Sequence, residues 1–257
     1  MPSCSSGTDD LAHPLARRMP RVLTDTHNGP PPAGTGRFTR SDLERGPCRP
    51  LSGEGRWANA ALYLFEHGGV TWAVKDFRPR SWPVRQVVGR WMVRREANGL
   101  RKLDGVPGTP QGVFRVDAFA FAYRFVPGRS LKELPADALG PEFFTTLERS
   151  VIAMHARARL VHLDLRNARN ILVTDDGEPS MLDFQTHVNV RWMPGPLRRF
   201  AERVDLAAIY KHWATRSPAT LGTERAQLLG WINKLRPLWV KRGYRYTGLP
   251  GAGRRKP

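Results

Sequence analysis

The stretch that most limits what this chain can fold into runs from Val161 to Gln185, VHLDLRNARNILVTDDGEPSMLDFQ. Ile171, Leu172 and Val173 form a strand-prone run, Met181 and Leu182 resume it, and Asp176-Gly177 between them supplies turn residues. That pattern predicts an antiparallel hairpin. A hairpin returns the chain to its starting point, so Asn170, just before the first strand, and Asp183, at the end of the second, become neighbours. Asp164, in the loop before, reaches the same spot. Two carboxylates and an amide offer only oxygen. Such a donor set suits a hard cation such as Mg²⁺, which keeps water or phosphate in its remaining positions.

The segments upstream supply a sheet and a helix. Ala60–His67 and Val70–Phe77 read as strands joined at Gly68-Gly69, the last two of three strands expected over Leu51–Phe77. Side chains alternate along a strand, so Ala73 and Lys75 share a face. Before them, Gly53-Glu54-Gly55-Arg56-Trp57-Ala58 reads either as a phosphate-cradling loop or as a plain turn. Ser81–Leu103 reads as a helix. Val84, Val87, Val88, Trp91 and Met92 form its apolar stripe, bordered by Arg85, Arg90, Arg94 and Arg95. The favoured reading buries that stripe against the sheet; the other presents it, with its arginines, to anionic lipid. Gly112–Val126 adds two strands. Pro141–Leu160 forms a long helix whose core side is Phe144, Leu147, Val151, Met154 and His155. A further helix is expected to begin at Glu202–Leu206, placing Asp205 near a helix start, and a last one to cover Gln227–Val240. Residues 1–46 are rich in Pro, Gly, Ser and Thr and read mostly as a disordered extension, with a short helical turn at Arg37–Glu44.

Taken in order, these parts resemble the protein-kinase-like superfamily. Its pattern of His-x-Asp-Leu, Asn, hairpin and Asp-Phe-Gly is matched by His162-Leu163-Asp164-Leu165, by Asn170-Ile171-Leu172-Val173 and by Asp183-Phe184-Gln185. Two departures, an Asp-to-Asn gap longer by one residue and Gln185 where the family has Gly, are similar to the small bacterial RIO-type and lipopolysaccharide (Kdo/WaaP-like) kinases. Ala58 also replaces the third glycine of the phosphate loop. The resemblance implies an α+β fold of two lobes: a small antiparallel sheet lobe over residues 47–126 and a mainly helical lobe over 127–257 ending in a basic tail. It implies ATP and Mg²⁺. Lys75, steadied by Glu96, would hold phosphates under a loop containing Gly53 and Gly55, with Ala73 against the adenine. Asn170 and Asp183 would hold metal, with Asn167 a rival to Asn170 because of the longer loop. Asp164 would be the base, Arg166 would neutralise the phosphoryl group in flight, and His162 and Asp205 would support the loop.

Composition bounds the partners. The formal net charge of +18 over 257 residues implies an anionic partner: phosphorylated substrate, anionic lipid surface or nucleic acid. No nucleic-acid recognition motif accompanies the charge. The two cysteines, Cys4 and Cys48, form no disulfide framework or zinc site. No apolar run is long enough for a membrane span, and no leader is recognisable, so a cytoplasmic protein, peripheral on the inner membrane, is expected. The first reading is a kinase acting on a protein Ser/Thr or on a lipopolysaccharide-core sugar. Two others stay open: a catalytically weak, nucleotide-binding scaffold, and a basic nucleic-acid-binding protein.

Overall fold

The computed structural model describes residues 36–51 and 60–235. The Gly53–Ala58 loop, most of the N-terminal extension and the basic tail lie outside those residues. The chain is mixed α/β. A five-stranded antiparallel sheet is built from β1 (Cys48–Pro50), β2 (Ala61–His67), β3 (Val70–Asp76), β4 (Phe114–Arg115) and β5 (Ala120–Arg124), in the order β1-β2-β3-β5-β4. Both glycines of the β2–β3 turn have positive φ, 59° at Gly68 and 75° at Gly69, so the tight turn read from the pair forms.

Both faces of the sheet are buried, which is why β3 is almost continuously apolar. Trp72 and Val74 pack on one side with Phe65, Phe114, Ala120 and Ala122, while Ala73 packs on the other with Phe77, Phe121 and Tyr123. The first side is closed by α1 (Arg40–Arg45), which inserts Leu43, and by Phe38 just before it; a reciprocal Thr39–Asp42 capping box holds the helix start. Arg40 ties it to the sheet through Asp76, at 2.5 Å, and Asp117, at 2.7 Å. The helical turn expected within Arg37–Glu44 is therefore part of the fold.

The second side is covered by α2 (Arg90–Leu100), entered through a π-helical segment, Val84–Gly89. Here the stripe is corrected. Val87 and Trp91 are 72% and 58% exposed, and the buried face is Val84, Gly89, Val93, Glu96, Ala97 and Leu100. The wider π turn rotates everything after it relative to a uniform 3.6-residue period, so a stripe counted through it ends on the wrong side. Gly89 permits the close approach: a Cβ there would lie 2.7 Å from Phe77 Cβ.

The remaining elements are mainly helical. α3 (Pro141–Ala153) continues through a π turn at Met154–Ala158, and its expected stripe of Phe144, Leu147, Val151, Met154 and His155 is buried. α4 (Gly195–Arg216) and α5 (Thr223–Leu235) pack against each other. Between α3 and α4 lie β7 (Leu160–Val161), β8 (Ile171–Thr174), β9 (Pro179–Met181) and β10 (Val188–Asn189); β8 also pairs with β6 (Gly128–Ser130). α4 starts well before Glu202, so Asp205 sits in its interior, and the helix dipole does not account for this carboxylate. Among the described residues no helix is long and apolar enough to cross a membrane.

Candidate functional site

Lys75 is the joint between sheet, helix and hairpin. It projects from β3 on the same side as Ala73, toward α2. Its ammonium lies 2.6 Å from Glu96 Oε1 and 3.2 Å from Asp183 Oδ1. Lys75 and Glu96 are buried, whereas the Asp183 side chain is 44% exposed. Burial alone would push the Lys75 pKa down, but the two carboxylates outweigh it and hold it above the ordinary lysine value. Among the described residues Glu96 Oε2 has no hydrogen-bond partner, and Lys75 is the main compensation for this buried carboxylate, with Arg95 a weaker one. Lys75→Met should therefore cost about 3 kcal/mol of stability by stranding that charge, and Lys75→Met/Glu96→Gln should recover much of it. Urea denaturation of both variants measures this; equal stability of the single and double variants would contradict it.

The hairpin does what its sequence requires. Ile171 pairs with Met181, Gly177 takes φ 82° in the turn, and Leu182 N–H donates to the Asn170 carbonyl at 2.8 Å. Asn170 and Asp183 thus flank the open end of one ladder. Asn170 Nδ2 donates to Asp164 Oδ2 at 2.8 Å and to the Asp164 carbonyl at 3.0 Å. Burial, with the nearby Asp183 charge, raises the Asp164 pKa, and the Asn170 hydrogen bond opposes that rise. Asn167, the rival for Asn170's place, spends its side-chain oxygen on Arg169 N–H and its Nδ2 on Asn170 Oδ1. Asp183 is left-handed, φ 60°, and passes directly into a 3₁₀ turn, Phe184–Thr186. Gln185 lies in that turn without a positive φ, so its position needs no glycine.

Behind Asp164 the loop is held by groups far away in sequence. Asp205, fully buried, accepts from His162 N–H at 2.6 Å, Leu163 N–H at 2.7 Å and His155 Nε2 at 3.0 Å. Leu163 is held at φ 66°, a conformation unfavourable for a branched side chain, and Asp205 provides part of what fixes it. His162 reaches the Leu182 carbonyl at 2.9 Å and packs on Phe184, linking the loop to the Asp183 turn. Arg166, by contrast, turns toward α5 and donates to Asn233 Oδ1 at 3.2 Å.

Sequence reasoning missed two supports. His155 was placed only in a core stripe, and His212 was not singled out; His212 Nε2 meets the Leu165 carbonyl at 3.0 Å. Neither partner is near in sequence, so no local spacing could have announced it. Burial, aided by Lys211, lowers the His212 pKa from 6.5 to about 4. Below pH 6.5 the unfolded chain takes up a proton that the folded chain refuses. Stability should therefore be complete above pH 6.5 and fall by about 3 kcal/mol toward pH 4. A stability–pH profile that is flatter in His212→Gln than in the unsubstituted protein is the expected result.

Asp183 presents oxygen donors beside the Lys75 ammonium, and Asp164, which bonds Asn170, lies close enough to sense the Asp183 charge. Among the described residues no group of three or more His, Cys, Asp or Glu side chains forms a self-sufficient metal cage. The set fits a hard cation whose other positions are filled by phosphate and water, as Mg²⁺ prefers. A scan against protein-family models finds no match, and no curated protein matches the chain.

Proposed function

We propose that this protein is an ATP-dependent phosphotransferase with a two-lobed, protein-kinase-like fold, the cleft lying where β3, α2 and the β8–β9 hairpin meet. The observation that carries this reading is the Lys75 ammonium held between Glu96 and Asp183, residues 21 and 108 positions away, with the Asp183 charge in turn felt by Asp164, which bonds Asn170. A buried lysine needs only one carboxylate for compensation. The second, half-exposed one leaves an edge at which phosphates can compete for the ammonium. Asn170 and Asp183 would hold Mg²⁺. When bound, the metal would neutralise charge on the phosphates.

Lys75 then holds the nucleotide phosphates, fixed in direction by Glu96. Asp164 accepts the proton of the acceptor hydroxyl as that oxygen bonds to the γ-phosphorus. The bond from the γ-phosphorus to the β–γ bridging oxygen breaks, and ADP leaves with those electrons. His162 and Asp205 keep the loop in position and touch no substrate. Ala73, on the Lys75 face, lines the expected adenine side. Arg166 would reach the transferred group only after leaving Asn233.

The acceptor is a hydroxyl of a protein Ser/Thr or of a lipopolysaccharide-core sugar. Exposed Trp82, Val87 and Trp91, interspersed with Arg90 and Arg94, favour work at an anionic membrane surface on the cytoplasmic side. Incubation with γ-labelled ATP, Mg²⁺ and a lysate separated into protein and lipopolysaccharide fractions tests this. Label should enter one fraction; label in neither, with the protein folded, counts against phosphotransfer.

A further inference from the structure

A second cationic site lies apart from the Lys75 cluster and shares no residue with it. It is a cavity of about 660 Å³ lined by Lys102, Arg157, Arg159, Asn189, Arg191 and Arg198, with Ala158 in its wall. Among the described residues five cations and one amide line this space, and no acidic side chain does. Among the described residues only Arg198 of the five has a carboxylate within ion-pair distance, Glu202 at 3.7 Å. Like charges gathered around one concavity raise its potential, and a bound anion relieves that repulsion.

Several separate segments supply these charges, so the cluster is not one helix's solvated face. Lys102 follows α2, Arg157 and Arg159 end α3, Arg191 follows β10, and Arg198 is in the first turn of α4. Arg159 is held at φ 54°, a strained conformation for a side chain with a Cβ, and its carbonyl is fixed by Val190 N–H at 2.8 Å. The β7–β10 pairing thus sets the two arginine-bearing segments against each other. The volume exceeds what one phosphate fills and falls in the range of small-molecule sites. At Arg191 the guanidinium lies 5.1 Å from the ring centre of Trp192, which is 86% exposed and gives the neighbourhood an apolar surface.

We propose that this cavity binds a diphosphate-bearing ligand, either soluble or the headgroup of a lipid, through bidentate arginine–phosphate contacts. The site is independent of the phosphotransfer reading, so the two can fail separately. The test is calorimetric titration of the full-length protein with inorganic pyrophosphate in EDTA, alongside sedimentation with phosphatidylcholine vesicles with or without diacylglycerol pyrophosphate. Pyrophosphate should bind with an affinity that falls steeply as salt rises. Arg157→Gln/Arg191→Gln should weaken binding about a hundredfold, the loss of two charge-assisted contacts. Both positions are exposed, so the unfolding temperature should not change. Vesicle binding that needs diacylglycerol pyrophosphate and is lost in the same variant identifies a lipid source; pyrophosphate binding alone identifies a soluble one. No pyrophosphate binding at low salt, or equal binding by the double variant, overturns the proposal.

Discussion

Asp183→Asn should reduce phosphoryl transfer from ATP by about a thousandfold or more while leaving the protein folded. The substitution removes the carboxylate expected to carry metal and leaves the backbone undisturbed. Asp183 sits at φ 60°, where asparagine is tolerated and alanine is strained, so Asn is the cleaner replacement. Its side chain is almost half exposed, and Lys75 keeps its 2.6 Å contact with Glu96, so no buried charge is stranded. Transfer of label from γ-labelled ATP, with thermal unfolding measured in parallel, separates lost chemistry from lost structure. Transfer within a few-fold of the unsubstituted protein would remove Asp183 from the mechanism.

The second large effect is on stability. Asp205→Ala should cost about 4 kcal/mol, since it leaves the His162 and Leu163 N–H groups and His155 without their acceptor in a fully buried place. It also frees Leu163 to leave its left-handed conformation, so the Asp164 loop should loosen before the rest unfolds. Asp205→Asn keeps one acceptor oxygen and should cost roughly half as much. Urea denaturation gives the first quantity, and hydrogen exchange at His162 and Leu163 the second. An Asp205→Ala protein within about 1 kcal/mol of the original would mean that the loop is held by something else.

These two carboxylates also show what was legible in the sequence. Asp183 could be placed from Asp176-Gly177 and two short apolar runs, because hairpin geometry is local and the register follows from the turn. Lys75 and Glu96 could be paired only through the resemblance; their strand and helix were readable, but the 21-residue separation carries no spacing rule. Asp205 was singled out, yet its setting was misread, because α4 begins at Gly195 with a Gly-Pro pair that reads as a loop. The stripe on Val84–Met92 failed for a different reason. It was counted at one helical period, and the π segment changes that period partway along. The arginine-lined cavity was illegible altogether. Its cations are spread from Lys102 to Arg198 and converge only when β7 pairs with β10.

In the phosphotransferase we propose, Lys75, Glu96, Asp164, Asn170 and Asp183 together form one site for a metal-bound triphosphate. Mg²⁺-dependent binding and turnover of ATP, measured on the purified protein and on Asp164→Ala, tests it most directly. Both proteins should bind ATP only with Mg²⁺ and with similar affinity, and only the unsubstituted one should transfer the γ-phosphoryl group. An unsubstituted protein that shows no Mg²⁺-dependent ATP binding, or an Asp164→Ala protein with undiminished transfer, would contradict it.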